Sequence, residues 1–255
     1  MKLGFIVGRD NEVYHSNNLM KVTPKKYLVN KLLHVDVAIA MMVKTRFPDI
    51  TVDIILPKEI TLQRLKKNDI NYVVGYDYIN ALNDEPWVPK FEGVAGTRKI
   101  VDIYKNKASK IFPPYEYLDF IWNKKKYLTK LQHHKIPISP TMFVKGSISV
   151  PTLLSRITSY GWLSFIIKPI GGTTSWGLGL FRLSDVIREP TLVMDYFIEN
   201  NDYYKDYLVQ PLIEGFIKHG EVKGFWIDGT FSYAVNIIDR ESEGGAYKVT
   251  HIKHK

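Results

Sequence analysis

Three short apolar runs separated by two stretches of helical period fill the first third of this 255-residue chain, and that alternation restricts the fold more than any single motif. Leu3 to Val7 read as a strand ending at Gly8-Arg9-Asp10. Leu32, Val35, Ile39 and Met42 then recur at helical spacing, and Thr51 to Leu56 form a second strand stopped by Pro57. Ile60 to Lys67 suit another helix and Ile70 to Gly75 a third strand. Strands that alternate with helices pair in parallel, because each crossover helix covers a face of the sheet. Ligands of such sheets bind beyond the carboxyl ends of the strands, so Gly8, Arg9 and Asp10 are candidates for substrate contact, a plain turn being the other reading. Gly4-x-x-x-Gly8 lacks the G-x-G-x-x-G of a dinucleotide fingerprint. Between residues 83 and 115, Pro, Gly, Lys and Asp cluster around one expected helix, Arg98 to Lys107, which reads as a linker or an embellishment.

Composition narrows the class without naming a function. With 45% hydrophobic and 24% charged residues the chain falls within globular averages, and its length supports one large domain or two smaller ones. No apolar run approaches the roughly 18 residues of a membrane span. The opening MKLGFIVGRD turns to charge too early for a signal peptide, so an intracellular, cytoplasmic protein is expected. The lack of cysteine excludes disulfides, zinc–thiolate sites and thiol nucleophiles together. Of the seven histidines, His133 and His134 are adjacent, His251 and His254 lie in a basic stretch, and no His-x-x-x-His occurs, which argues against histidine metal ligation. No G-x-S-x-G supports a hydrolase triad. The formal charge of +9 attracts anions, whether nucleotide, acidic substrate or nucleic acid. Aromatic residues at 13% admit a basic single-strand binder, yet the lysines are scattered and no RNP, zinc-finger or helix-turn-helix pattern occurs. The run Lys124-Lys125-Lys126, with Lys130, reads as one face of a helix whose other face carries Leu118, Ile121, Trp122, Leu128 and Leu131.

Residues 164–182, SFIIKPIGGTTSWGLGLFR, carry the most chemistry. Phe165, Ile166 and Ile167 form an apolar strand, so the ammonium of Lys168 sits near an apolar wall and needs an anionic partner. Gly171 and Gly172 admit positive φ and let backbone N–H groups approach a ligand. Thr173, Thr174 and Ser175 add hydroxyl donors before Gly177, and successive amides in such a turn make an anion-binding concavity. A Walker A loop has its lysine directly after the last glycine, and a protein kinase has its glycine-rich loop before the lysine. Here Lys168 precedes the glycines. The same residues also describe a Gly-rich hairpin with a solvated lysine at its shoulder.

Tyr207 to Pro211 (YLVQP) is a further apolar strand, continued by Leu212, Ile213, Glu214 and Gly215. A proline that stops the ladder frees neighbouring backbone groups, and unpaired N–H and C=O groups in an apolar crevice match the donor–acceptor edge of a purine. Glu221 opens the strand EVKGFWIDG, where its carboxylate either accepts both ribose hydroxyls or is an ordinary exposed glutamate. Asp228-Gly229 signals a hairpin, after which Phe231 to Ile238 returns antiparallel.

Taken in this order, the segments from about Lys124 to Arg240 resemble the nucleotide-binding half of the ATP-grasp superfamily. The likeness is to its carboxylate–amine ligases, such as glutathione synthetase and ribosomal-protein glutamate ligases. In that family a first lysine lies on a helix leading into a gIPxPxT segment. The stretch NKKKYLTKLQHHKIPISPT has Ile136, Pro137, Pro140 and Thr141 in those places, which makes Lys124 that lysine. The family's second lysine falls on Lys168. Its interdomain hinge matches VQPLIEG, placing Gln210, Leu212 and Ile213 around adenine, and its ribose carboxylate falls on Glu221.

The resemblance implies an α/β plus α+β fold. Residues 1–114 would form an N-terminal parallel-sheet domain, 115–202 a central ATP-grasp subdomain, and 203–255 the start of the C-terminal subdomain. The nucleotide would be gripped where the IIKP strand and the VQPLIEG hinge face each other across a crevice. It further implies ATP and Mg²⁺ as cofactors and a small-molecule or peptide carboxylate as substrate. That carboxylate would be activated as an acyl phosphate for attack by an amine or another nucleophile. Such catalysis is mostly positioning and charge neutralisation. Lys124 and Lys168 would neutralise phosphate charge and the 171–177 loop would close over the γ-phosphate. Arg240 would clamp the carboxylate or the transferring phosphate, an exposed arginine being the equal alternative. Two departures stand against a full carry-over. Lys223 replaces a family arginine that clamps phosphate in a bidentate way. After Gly229 only Asp239, Glu241 and Glu243 are acidic, without the family's metal-binding Glu-x-Asn. The expectation is therefore either an incomplete copy of a longer enzyme or a degenerate metal site, and a non-catalytic ATP-binding module is the alternative function.

Overall fold

The three expected N-terminal strands form as β1 (Lys2–Ile6), β2 (Thr51–Ile55) and β3 (Ile70–Val73) in the computed structural model, which describes residues 1–8, 13–74, 97–171, 177–238 and 248–252. They pair in parallel in the order β2-β1-β3, and a short β4 (Ile111–Phe112) joins beyond β3. The stretch expected as a linker thus contributes a strand to the sheet. After α1 (Asn17–Val22), α2 (Val35–Arg46) lays Val37, Ala38, Ala40 and Met41 against Leu3, Phe5, Ile54 and Leu56. The helix expected over Ile60 to Lys67 is reduced to a 3-10 turn at residues 57–59 and α3 (Leu62–Leu65), whose start is capped by the Thr61 hydroxyl accepting from the Arg64 N–H at 3.2 Å. Helix α4 (Thr97–Lys105) falls close to its expected place.

A buried amide ties this unit together. Asn71, fully buried, donates to the carbonyls of Leu65 and Ser109 at 3.0 and 2.7 Å and accepts from Asn68 at 2.7 Å. Gly4 makes room for it, since a Cβ there would lie 2.0 Å from Asn71 Oδ1.

The helix expected through Leu118 and Leu131 is in fact two, α5 (Tyr115–Trp122) and α6 (Lys124–His133). Asn123 takes an extended conformation between them, and its side chain accepts from the Lys126 N–H at 3.1 Å, competing with helix continuation and capping the second helix. The neighbouring lysines lie at the surface, Lys126 paired with Asp119 at 2.5 Å and Lys125 over the Phe143 ring at 5.7 Å.

The second sheet is antiparallel. Its strands are β5 (Met142–Lys145), β6 (Ser164–Pro169), β7 (Gly179–Arg182) and β8 (Asp206–Pro211), in the order β5-β8-β6-β7, so it draws on chain from both sides of residue 203. Helices α7 (Val150–Ser159), α8 (Leu183–Arg188) and α9 (Thr191–Asn200) supply Leu153, Ile157, Val186, Val193, Tyr196 and Phe197 to a core shared with Phe165, Ile167, Tyr207 and Val209. Helix α10 (Glu214–His219) leads into a third sheet of β9 (Glu221–Ile227), β10 (Thr230–Ile238) and β11 (Lys248–Ile252), ordered β11-β10-β9. Asp228 and Gly229 both take positive φ, 51° and 72°, as the tight hairpin between β9 and β10 requires. No helix among the described residues is long and apolar enough to cross a membrane.

Candidate nucleotide-binding site

Strand alternation defines the face on which the site is built. Phe165 and Ile167 of β6, Tyr207 and Val209 of β8, and Met142 and Val144 of β5 all turn into the helix-covered core. Side chains along a strand point alternately to the two faces, so Ile166 and Lys168, Leu208 and Gln210, and Phe143 share the opposite face. The register sets them in two rungs. Phe143, Leu208 and Lys168 are cross-strand partners in one; Gln210, Ile166 and Leu180 are partners in the other. The result is an apolar face, with Leu208 fully buried, that carries an ammonium at one corner and a carboxamide at the diagonal corner.

Lys168 is half-buried, and desolvation lowers its pKa from the ordinary 10.5, while the Glu221 carboxylate acts in the opposite sense. The first residue of β9 thus acts electrostatically on the lysine near the end of β6. Lys124 reaches the residues just beyond β6 from α6. Its amide donates to the Ile170 carbonyl at 3.1 Å and its Nζ to the Gly171 carbonyl at 3.0 Å. The break at Asn123 makes this possible, because it sets Lys124 at the first turn of a new helix beside the strand end.

Both ends of the Gly-rich loop are therefore held. Gly171, at its entry, is gripped by Lys124. Gly177, at its exit, takes φ +71°, accepts from the Tyr196 hydroxyl at 2.6 Å and lies against Pro169, where a Cβ would come within 2.8 Å of Cγ. Gly172, Thr173, Thr174 and Ser175 lie outside the described residues, as do Arg240, Arg9 and Asp10 and the acidic Asp239, Glu241 and Glu243. Gly8 is described, and its N–H donates to the buried Asp36 carboxylate at 2.7 Å.

Two expectations about the hinge need correction. The IIKP and VQPLIEG segments are hydrogen-bonded neighbours in one sheet, with Ile166 opposite Gln210 and Lys168 opposite Leu208, rather than walls facing across a crevice. Nor does Pro211 stop the ladder: it pairs with Phe165, and the Leu212 N–H donates to the Ser164 carbonyl at 3.0 Å, so that amide is occupied. Pro211 is tolerated because the 211–165 pair makes no hydrogen bond toward β6 and, on its other side, β5 begins only at Met142 opposite Val209. Ile213 follows, 44% exposed, as the residue preceding α10. Glu221 and Lys223, both about half exposed, approach each other to 3.6 Å. Among the described residues no group of three His, Asp or Glu could hold a metal ion.

One interaction was not foreseen as part of the site. Gln210, 9% exposed, donates from Nε2 to the Thr141 hydroxyl at 2.8 Å, and that hydroxyl donates to the Ser139 carbonyl at 2.8 Å. The signal in the sequence was Thr141 itself, the last residue of the gIPxPxT segment.

No family model and no curated protein matches the chain. Solved structures do. D-cycloserine synthetase DcsG is similar over 100% of this chain and 76% of its own, at 14% identity and a TM-score of 0.61. D-alanine–D-alanine ligase from Bacillus anthracis, complexed with ATP, is similar over 100% of this chain and 72% of its own, at 12% identity and a TM-score of 0.55. The ATP-grasp ligase PsnB, complexed with a minimal precursor, is similar over 99% and 77%, at 11% identity and a TM-score of 0.56. Similar to these structures over nearly its whole length, this chain has the ATP-grasp fold.

Proposed function

We propose that the chain binds ATP beside Lys168, at the edge of the sheet face that also carries Gln210, and uses it to activate a carboxylate. One observation carries the reading. Lys124 holds the Gly171 carbonyl at the entry of the Gly-rich loop, Lys168 stands three residues before it near the end of the apolar strand, and the Glu221 carboxylate of another sheet acts electrostatically on Lys168. A half-desolvated ammonium lacks the hydration that would satisfy it and gains most from a polyanion. The similar structures support the reading, since they include a synthetase and ligases, one of them complexed with ATP.

In the proposed reaction a carboxylate oxygen of a small molecule or peptide forms a bond to the γ-phosphorus as the β–γ bridging P–O bond breaks, releasing ADP. An amine nitrogen then attacks the carbonyl carbon of the acyl phosphate; its proton is lost and phosphate departs as the amide forms. Lys124 and Lys168 neutralise phosphate charge through the transfer. Gln210 and Ile213 border the base and Glu221 accepts from the ribose hydroxyls. For Mg²⁺ the described residues offer no group of three His, Asp or Glu.

Calorimetric titration with a non-hydrolysable ATP analogue tests the site. Removing a charge-assisted contact to phosphate is expected to weaken binding by about tenfold or more, so Lys168→Ala and Glu221→Ala should both bind less tightly than the unaltered protein. Equal binding by all three rejects the assignment. Phosphate release in a screen of carboxylates with an added amine then identifies the acceptor.

A further inference from the structure

We propose that Thr141 is a positioning residue that locks the Gln210 carboxamide in one orientation and thereby makes the site selective for a 6-aminopurine, an inference that rests on the ATP reading. A threonine hydroxyl has one proton. In Thr141 that proton goes to the Ser139 carbonyl at 2.8 Å, so toward Gln210 the hydroxyl can only accept. It receives the Gln210 NH₂ at 2.8 Å, which fixes which end of the amide is nitrogen and turns Oε1 away from Thr141. Gln210 is 9% exposed, so rotation to the reversed orientation would set a carbonyl oxygen against an oxygen that has no proton to give.

Gln210 lies on the same sheet face as Lys168, cross-strand from Ile166 and next to Leu208, which is 0% exposed. The Ile166–Gln210 rung precedes Gly171 by about five residues, roughly 16 Å at the rise of a strand. That span is long enough for a nucleoside to reach from the carboxamide to phosphates held at the loop. With phosphates at Lys168 and Lys124, the base lies toward Gln210, and an amide oxygen there accepts from the exocyclic amine of adenine. Guanine offers a carbonyl at the same position, and two acceptors would face each other in a poorly hydrated place. The Ser139 hydroxyl, buried and without a partner among the described residues, marks this corner as one with polar capacity not yet used by the protein.

The test is the ratio of affinities for non-hydrolysable ATP and GTP analogues, measured calorimetrically on the full chain. The unaltered protein should favour the ATP analogue. Thr141→Val keeps the shape of the side chain but removes the hydroxyl, freeing the amide to reverse, and should reduce the ratio by about tenfold, the worth of one such hydrogen bond. Thr141→Ser should restore it, which a packing role for the threonine methyl would not. Gln210→Met should erase the preference and carries the same test if Thr141→Val does not fold. Unchanged discrimination in these variants, or a parallel loss of both affinities, overturns the inference and leaves ATP binding intact. Failure of the unaltered protein to bind either analogue overturns the ATP reading and this inference together.

Discussion

Lys168 shows how burial can prepare one residue for the anion proposed as its ligand. Burial lowers its pKa and Glu221 opposes the shift. In the folded protein without ligand, the proton is therefore lost below pH 10.5, the value kept in the unfolded chain. The unfolded state binds more protons in that window, so the stability of the free protein rises with pH across it. Bound phosphate reverses the preference, because it favours the ammonium. Nucleotide affinity should then fall with rising pH in the same window, and binding there should take up protons. Titration at alkaline pH in buffers of different ionisation enthalpy measures that uptake, which should vanish in Lys168→Met; uptake that persists in the variant would assign it to another group. The half-burial of Lys168 was legible from SFIIKPIGG, since a lysine at the end of an apolar strand sits against an apolar wall. The role of Thr141 was not, because it depends on the direction of a single hydroxyl proton.

At the scale of elements, the two described ends of the Gly-rich loop, Gly171 and Gly177, are each held by a side chain from another element. Lys124 grips its entry and Tyr196 its exit, and Gly177 occupies a left-handed conformation with Pro169 packed against it. Gly177→Ala should cost about 1–3 kcal/mol, the strain of a side chain at such φ, and should lower the urea midpoint with little change in slope. A midpoint equal to that of the unaltered protein would show that the exit relaxes without strain. Strands were readable because their apolar runs and turn signals are local. The division of α5 from α6 was not, although the cause is a single asparagine. Leu118 through Leu131 keep helical spacing across the break, and periodicity cannot register that the Asn123 side chain competes successfully for a backbone N–H. The Pro211 ladder was missed for a related reason: a proline removes its own donor and not that of the residue after it, so Leu212 could still pair with Ser164.

At the scale of the whole molecule, the two largest cores among the described residues share no residue. One gathers β1, β2 and α2 around Phe5 and Val37; the other gathers β5, β6, β8 and three helices around Phe165 and Tyr207. Separate cores favour unfolding in more than one step. Gly4→Ala, which would drive a Cβ to 2.0 Å from Asn71 Oδ1, should lower the transition of the parallel-sheet unit by about 1–3 kcal/mol and leave the other in place. An ATP analogue should raise the transition that contains Lys168. Differential scanning calorimetry separates the two effects, and a single transition shifted by both would mean that the cores unfold as one.

The sequence by itself determined the strands, the parallel order expected of the first sheet, and the succession of lysine, glycine-rich loop, hinge and carboxylate. These follow from side-chain polarity and backbone freedom acting over a few residues. Only the tertiary structure decided that IIKP and VQPL are neighbours in one sheet, that Lys124 closes on Gly171, and that Thr141 orients Gln210. Register and the direction of a hydrogen bond arise between segments far apart in the chain, and they are set by which faces must be buried and which protons are already spent.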